Sequence, residues 1–269
     1  MEFCILAIGA HADDIELQMG GTLSKYQSKG YDIGYVMATN NMSGGEEAVR
    51  EDGDKRPLHL RTMENRKREA NDGAKFYGTT AIHLDHPQRH YKTQEGQRVQ
   101  VEYGSKAPEG IDPSIPNILI AHEHKPSVRR VTDIILDYNP EVVFTHGGQI
   151  ANLEHLATAL LVAKAYWQAR EEGYQGMLAY WFDLGVNELG DLHKYSWQTH
   201  VDISDFWEAK MQGTLCHKTM KPNPPALDWP QWGPACRCRH AEVFSIGART
   251  DMPVQQGAIT TELLANRRF

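Results

Sequence analysis

The feature that most constrains this chain is an alternation. Short apolar runs are each followed by a charged or amphipathic stretch with helical spacing. Residues 3–8 form the first apolar run, as a strand buried on both faces does. Residues 14–29 follow with Ile15, Met19, Leu23 and Tyr26 on one helical face, and Gly30 closes the segment. The same reading predicts strands at 32–39, 81–84, 141–145, 177–182, 198–203 and 241–246. It predicts helices at 58–77, 128–138, 152–172 and 204–219, the last capped by Ser204. Residues 40–54 read as a polar loop. Strands alternating with helices imply a Rossmann-like α/β fold, a mostly parallel sheet with helices on both faces. In such sheets ligands bind beyond the carboxyl ends of the strands.

With 269 residues the chain suits one large domain rather than two. Residues 87–126 depart from the alternation. They are rich in proline, glycine and polar residues and too long for an ordinary connection, so they read as an inserted excursion, with a hairpin, that could serve as a lid or an oligomer contact. No run approaches the ~18–20 apolar residues of a membrane span. The first residues lack the basic region of a signal peptide, so a cytoplasmic protein is expected. The net charge of −7 does not favour phosphate backbones, and Arg66-Lys67-Arg68 and Arg129-Arg130 are too short for a nucleic-acid footprint. No nucleic-acid or membrane partner is expected. A small-molecule substrate is, and homo-oligomers are left open. Four cysteines do not suggest a disulfide framework, and Cys236-Arg-Cys238-Arg-His240 lacks the paired spacing of a zinc ribbon.

The chemistry gathers where strands end. The first strand runs into His11-Ala12-Asp13-Asp14, at the start of a helix. The fourth ends in Thr145-His146-Gly147-Gly148, and the next helix opens with Asn152-Leu153-Glu154-His155. Two strand ends from distant parts of the chain thus aim imidazoles and carboxylates at one edge of the sheet. Zinc accepts both donor types, and a catalytic site uses three protein ligands with one position left for water. An adjacent carboxylate, Asp13, could then take the proton from that water. Aspartates can also merely cap a helix. A His-x-Asp-Asp run matched by a second histidine at another strand end goes beyond capping.

Ala10-His11-Ala12-Asp13-Asp14-Ile15-Glu16 resembles the A-H-P-D-D-x-E signature of the PIG-L/LmbE-like zinc-dependent deacetylases. Gly20-Gly21-Thr22-Leu23, then Arg66, Glu69 and Ala70, then residues 152–159, and finally His240-Ala241-Glu242-Val243-Phe244 resemble its later motifs. The resemblance implies that His11, Asp14 and His155 hold a divalent metal, zinc or another, and that Asp13 is the general base. It implies a substrate contact for Arg66, whose rigid donor fork suits one. The chain departs from the family at two places. Ala12 stands for a proline, and Asn152 for the first histidine of H-P-D-H, with Glu154 for its aspartate. Asn152 can donate a hydrogen bond to the oxyanion but cannot deliver a proton at neutral pH. His146 and His217 are the histidines that could substitute at the substrate; each could equally be structural.

The first functional expectation is hydrolysis of an N-acyl group, typically N-acetyl, on an amino sugar or similar small polar molecule. Trp167, Tyr180, Trp181, Trp229 and Trp232 could supply an aromatic platform, although most suit packing better. The alternative is a metal-dependent lyase acting on an unsaturated dicarboxylate. A hydratase branch resembling 4-oxalomesaconate hydratase also carries asparagine before the x-x-His ligand. A non-haem iron oxygenase and a protein that only binds are weaker readings of the same residues.

Overall fold

The computed structural model describes residues 4–50, 53, 55–101, 107–147, 152–181, 199–220 and 241–248. The chain runs β1 (Cys4–Gly9), α1 (Asp14–Ser28), β2 (Asp32–Thr39), α2 (Glu46–Val49), α3 (Leu58–Phe76) and β3 (Ala81–His86). It continues through β4 (His90–Lys92), β5 (Arg98–Gln100), α4 (Ile118–Ala121), α5 (Lys125–Tyr138), β6 (Val142–His146) and α6 (Leu153–Glu171). The last elements are β7 (Met177–Trp181), β8 (Thr199–Asp202), α7 (Trp207–Thr214) and β9 (Ala241–Ala248).

Seven strands form one sheet in the order β3-β2-β1-β6-β7-β9-β8. The first five are parallel, and β9 runs antiparallel to both β7 and β8. Side chains along β1 alternate between two cores, as the period of a strand requires. Ile5 and Ala7 pack with Ile15, Met19, Leu23, Ala70 and Ala74 of α1 and α3. Leu6 and Ile8 pack with Val128, Val131, Leu161 and Val162 of α5 and α6. The sheet is therefore covered on both faces, which is why its central strands are nearly continuous apolar runs. Gly34 in β2 is needed for this packing, because a Cβ there would lie 2.6 Å from Leu6 Cδ1 and 3.0 Å from Tyr138.

The strand and helix order agrees with the sequence reading, and several bounds differ. The 40–54 loop contains the short helix α2. Helix α5 starts at Lys125, with Pro126 in its first turn, where a missing N–H costs nothing. Ser204 is the first residue of a 3-10 turn, Ser204–Phe206, that leads into α7, and its own amide is held by Asp202 Oδ1 at 2.9 Å. The expected helix to residue 219 is α7 followed by a second 3-10 turn, Lys218–Met220.

Within residues 87–126, β4 and β5 form an antiparallel hairpin with Tyr91 opposite Val99. Asn117 pins it. Its side chain caps α4 through Leu119 N, while Nδ2 donates to the carbonyls of Gln88 at 3.0 Å and Val101 at 2.8 Å. Cys4 and Cys216 are free thiols, and Cys236, Cys238, Trp229 and Trp232 lie outside the described residues. Among the described residues no helix is long and apolar enough to cross a membrane.

Candidate metal centre

β1 lies between β2 and β6, all three running the same way. The connections β1–α1 and β6–α6 therefore leave neighbouring strand ends, at the point where the sheet switches direction of winding. His11 and Asp14 come from the first connection, His146 ends β6, and His155 stands in the first turn of α6.

Three donor groups converge there. His11 Nδ1 and His155 Nε2 are 3.0 Å apart. Asp14 Oδ2 is 3.4 Å from His11 Nδ1, and Asp14 Oδ1 is 3.4 Å from His155 Nε2. Ligands at zinc bond lengths of ~2.0–2.1 Å define tetrahedral edges of about 3.3 Å. The observed spacings match such edges, and two imidazoles with one carboxylate are a donor set zinc accepts, so the residues fit a divalent ion. The electrostatics agree. Burial disfavours charge on His11, but Asp14 and Glu154 outweigh it and raise its pKa to about 9. Burial pushes the Asp14 carboxyl up, but His155, His146 and His11 hold it well below the usual carboxylate range. The cluster is arranged to hold a positive charge at its centre.

Glu154 was missed as a site residue, although its place beside His155 in the opening turn of α6 was a signal. Its Oε2 accepts from His11 Nε2 at 2.6 Å, which leaves Nδ1 as the nitrogen facing Asp14 and His155. The same carboxylate accepts from Gln88 Nε2 at 3.0 Å and from the Arg89 amide at 2.8 Å. Burial raises its pKa, but His11, Arg89 and Gln88 overcome this and lower it to about 2.

His146 is fully buried and stacks on His155 with ring centroids 4.0 Å apart. Trp181 Nε1 lies 3.2 Å from its Nδ1, and its Nε2 lies 2.9 Å from the Ala10 amide and 3.2 Å from Asp14 Oδ2. Trp181 Nε1 and the Ala10 amide both donate to this ring, one to each nitrogen, and so fix its orientation. His146 thus packs against two of the candidate donors, His155 and Asp14, inside the protein. Trp181 is likewise buried against that ring, where it is not a platform for sugar.

Asp13 is the N-cap of α1 and has φ 122°, a conformation L residues rarely adopt. Strain of this kind costs on the order of 1–3 kcal/mol and collects at functional sites. Asp13 Oδ2 lies 3.4 Å from Arg66 Nη2, and Arg66 also donates to the Ala12 carbonyl and lies 3.4 Å from Glu69. Burial raises the Asp13 pKa against the lowering effect of Arg66.

Arg66 is only 2% exposed and holds the Asp13 carboxylate and the Ala12 carbonyl from within the protein. Glu69 in turn accepts from Thr219 N at 2.6 Å and from its hydroxyl at 2.7 Å. His217 is also fully buried, 3.0 Å from Glu16 Oε2, and Tyr35 donates to the other oxygen of that carboxylate at 2.8 Å. It belongs to a polar cluster under the site. Asn152 is the N-cap of α6, its Oδ1 accepting from Glu154 N at 3.0 Å.

A model of the family described as PIG-L, GlcNAc-PI de-N-acetylase, matches residues 6–166, which includes every candidate metal donor above. Solved structures share the fold. A 4-carboxy-2-hydroxymuconate hydratase from Pseudomonas putida has a TM-score of 0.64 at 16% identity, covering 93% of this chain and 98% of that one. An N,N'-diacetylchitobiose deacetylase from Pyrococcus horikoshii has a TM-score of 0.59 at 19% identity, covering 90% and 83%. A zinc-inhibited form of teicoplanin deacetylase has a TM-score of 0.57 at 16% identity, covering 92% and 99%. The family match spans the turn that carries His11, Asp13 and Asp14 as well as the helix that carries His155, and on that ground the chain belongs to the PIG-L family of GlcNAc-PI de-N-acetylases.

Proposed function

We propose that this protein is a zinc-dependent hydrolase of the deacetylase type, removing an N-acyl group, most simply N-acetyl, from an amino sugar or similar small polar molecule. One observation carries the reading: His11, Asp14 and His155 offer three donors at tetrahedral spacing, with Asp13 in the same turn. A divalent ion bound there polarises an acyl carbonyl and lowers the pKa of a coordinated water toward ~7. Asp13, with a pKa raised by burial, is suited to take a proton from water and return it to the leaving nitrogen. Arg66 fixes the turn that aims Asp13. Asn152 commits its oxygen to capping α6, which leaves its Nδ2 as the donor for the developing oxyanion. The family supports amide hydrolysis, as do the deacetylases that share its fold.

Asn152 also favours a second reading. An amide cannot protonate a leaving amine, whereas water addition to an unsaturated dicarboxylate has no amine to expel. The fold-sharing hydratase is consistent with that chemistry. The two readings separate in one assay. Zinc-loaded protein is offered N-acetyl amino sugars and unsaturated dicarboxylates beside Asp13→Ala. Acetate release that vanishes in the variant supports the hydrolase. Loss of alkene absorbance without acetate overturns it in favour of the lyase.

A further inference from the structure

Glu154 joins two parts of the molecule that the sequence keeps apart. One of its oxygens accepts from His11 Nε2, and from Gln88 Nε2 at 3.0 Å. The other accepts from the Arg89 amide at 2.8 Å. The carboxylate is 3% exposed and sits one residue before His155. Its hydrogen bonds to His11 and to residues 88–89 therefore form in a dry setting, where losing one partner leaves a buried group unsatisfied. Gln88 and Arg89 are the root of the β4–β5 hairpin. Gln88 Oε1 accepts from Ser43 N at 2.7 Å, and Ser43 Oγ lies 3.0 Å from His90 Nε2. Val101 N donates to the Arg89 carbonyl at 2.7 Å, and Asn117 Nδ2 holds the Gln88 carbonyl. The segment that looked like an excursion is thus fastened to the group that orients a ligand.

We propose that Glu154 is a positioning residue that fixes His11 for ligation through Nδ1, and that the root of residues 87–126 belongs to the support of the metal site. This rests on the metal reading above. A histidine ligand needs its second nitrogen held, and removing such a partner costs ~10–100-fold in metal affinity. Because Glu154 serves His11 and the hairpin together, metal binding and hairpin order are linked, and linkage is reciprocal. Metal stabilises the hairpin, and loosening its root weakens metal binding.

The test measures Zn2+ affinity by competition with a chromophoric chelator, alongside hydrogen exchange of amides 88–101 with and without Zn2+. Wild type should bind zinc and show slower hairpin exchange when loaded. Glu154→Gln should bind ~10–100-fold more weakly and lose the zinc-dependent protection. Gln88→Ala, which touches no ligand, should weaken affinity several-fold and guards against a folding defect in the first variant. Wild-type affinity in both variants, or hairpin exchange indifferent to zinc in wild type, overturns the proposal while leaving the metal site intact. Failure of wild type to bind zinc overturns both.

Discussion

At the scale of single residues, the arrangement separates the candidate metal donors from the groups that aim them. Asp13 is held in a left-handed conformation by its place at the start of α1 and by Arg66 below it. Lysine at 66 would keep the charge but lose the fork that spans Ala12, Asp13 and Glu69. Arg66→Lys is therefore expected to lower kcat by ~100-fold, the cost of a base misplaced by about 1 Å, while KM changes little. A rise in KM with kcat preserved would instead restore the substrate contact that the sequence resemblance implies. His11, Asp13 and Asp14 were legible as candidates because they cluster within one short run. Glu154 was not, because its meaning depends on His11, 143 positions away. The burial of Arg66 and His217 was equally hidden, since nothing local marks a charged helix residue as lying inward.

At the scale of elements, α1 shows what periodicity conceals. Its apolar spacing reads as one helix, yet Met19 has φ −145° and ψ 17°, and the helix restarts beyond it. Glu242 of β9 supplies acceptors at the break, taking Gly21 N at 3.1 Å and Thr22 N at 2.7 Å, while Lys210 of α7 donates to it at 2.6 Å. The glycines are required there, since a Cβ at Gly21 would lie 2.7 Å from Ile203 Cδ1. This gives the closing Ala241-Glu242-Val243-Phe244 motif a structural role. Removing one partner of a buried pair strands the other, so Glu242→Ala should cost ~3–5 kcal/mol in urea unfolding. Adding Lys210→Met should recover part of that loss. A single-variant cost below ~1 kcal/mol would show that Lys210 and the α1 break find other partners. Helix and strand order was readable because each element carries its own period. The break was not, because its stabilising carboxylate comes from the far end of the sequence.

At the scale of the whole molecule, acid should loosen the side of the sheet that carries the 87–126 segment. Burial disfavours the charged form of His86, and Arg130 and His124 add to this against the Pro116 carbonyl; its pKa is lowered to about 4. His83 is lowered likewise, by burial first, to about 4. The unfolded chain takes up these protons near the ordinary value of 6.5, so between 6.5 and about 4 it binds more protons than the folded one. Stability therefore falls as pH drops through that window and is restored above it. Urea midpoints of chelator-treated protein should decline there, and His86→Asn, which can still donate to the Pro116 carbonyl, should flatten the decline. An unchanged slope in the variant would remove His86 from the account.

The fold class was written in the alternation of strands and helices. The sheet order that makes β1 and β6 neighbours was needed to show that His11 and His155 meet. That meeting is the central claim, and metal stoichiometry tests it most directly. Protein reconstituted with Zn2+ and freed of excess should retain one ion per chain, and Asp14→Ala should retain none while keeping its far-UV circular dichroism. A wild-type chain that retains no ion, or an Asp14→Ala chain that retains as much as wild type, would contradict it.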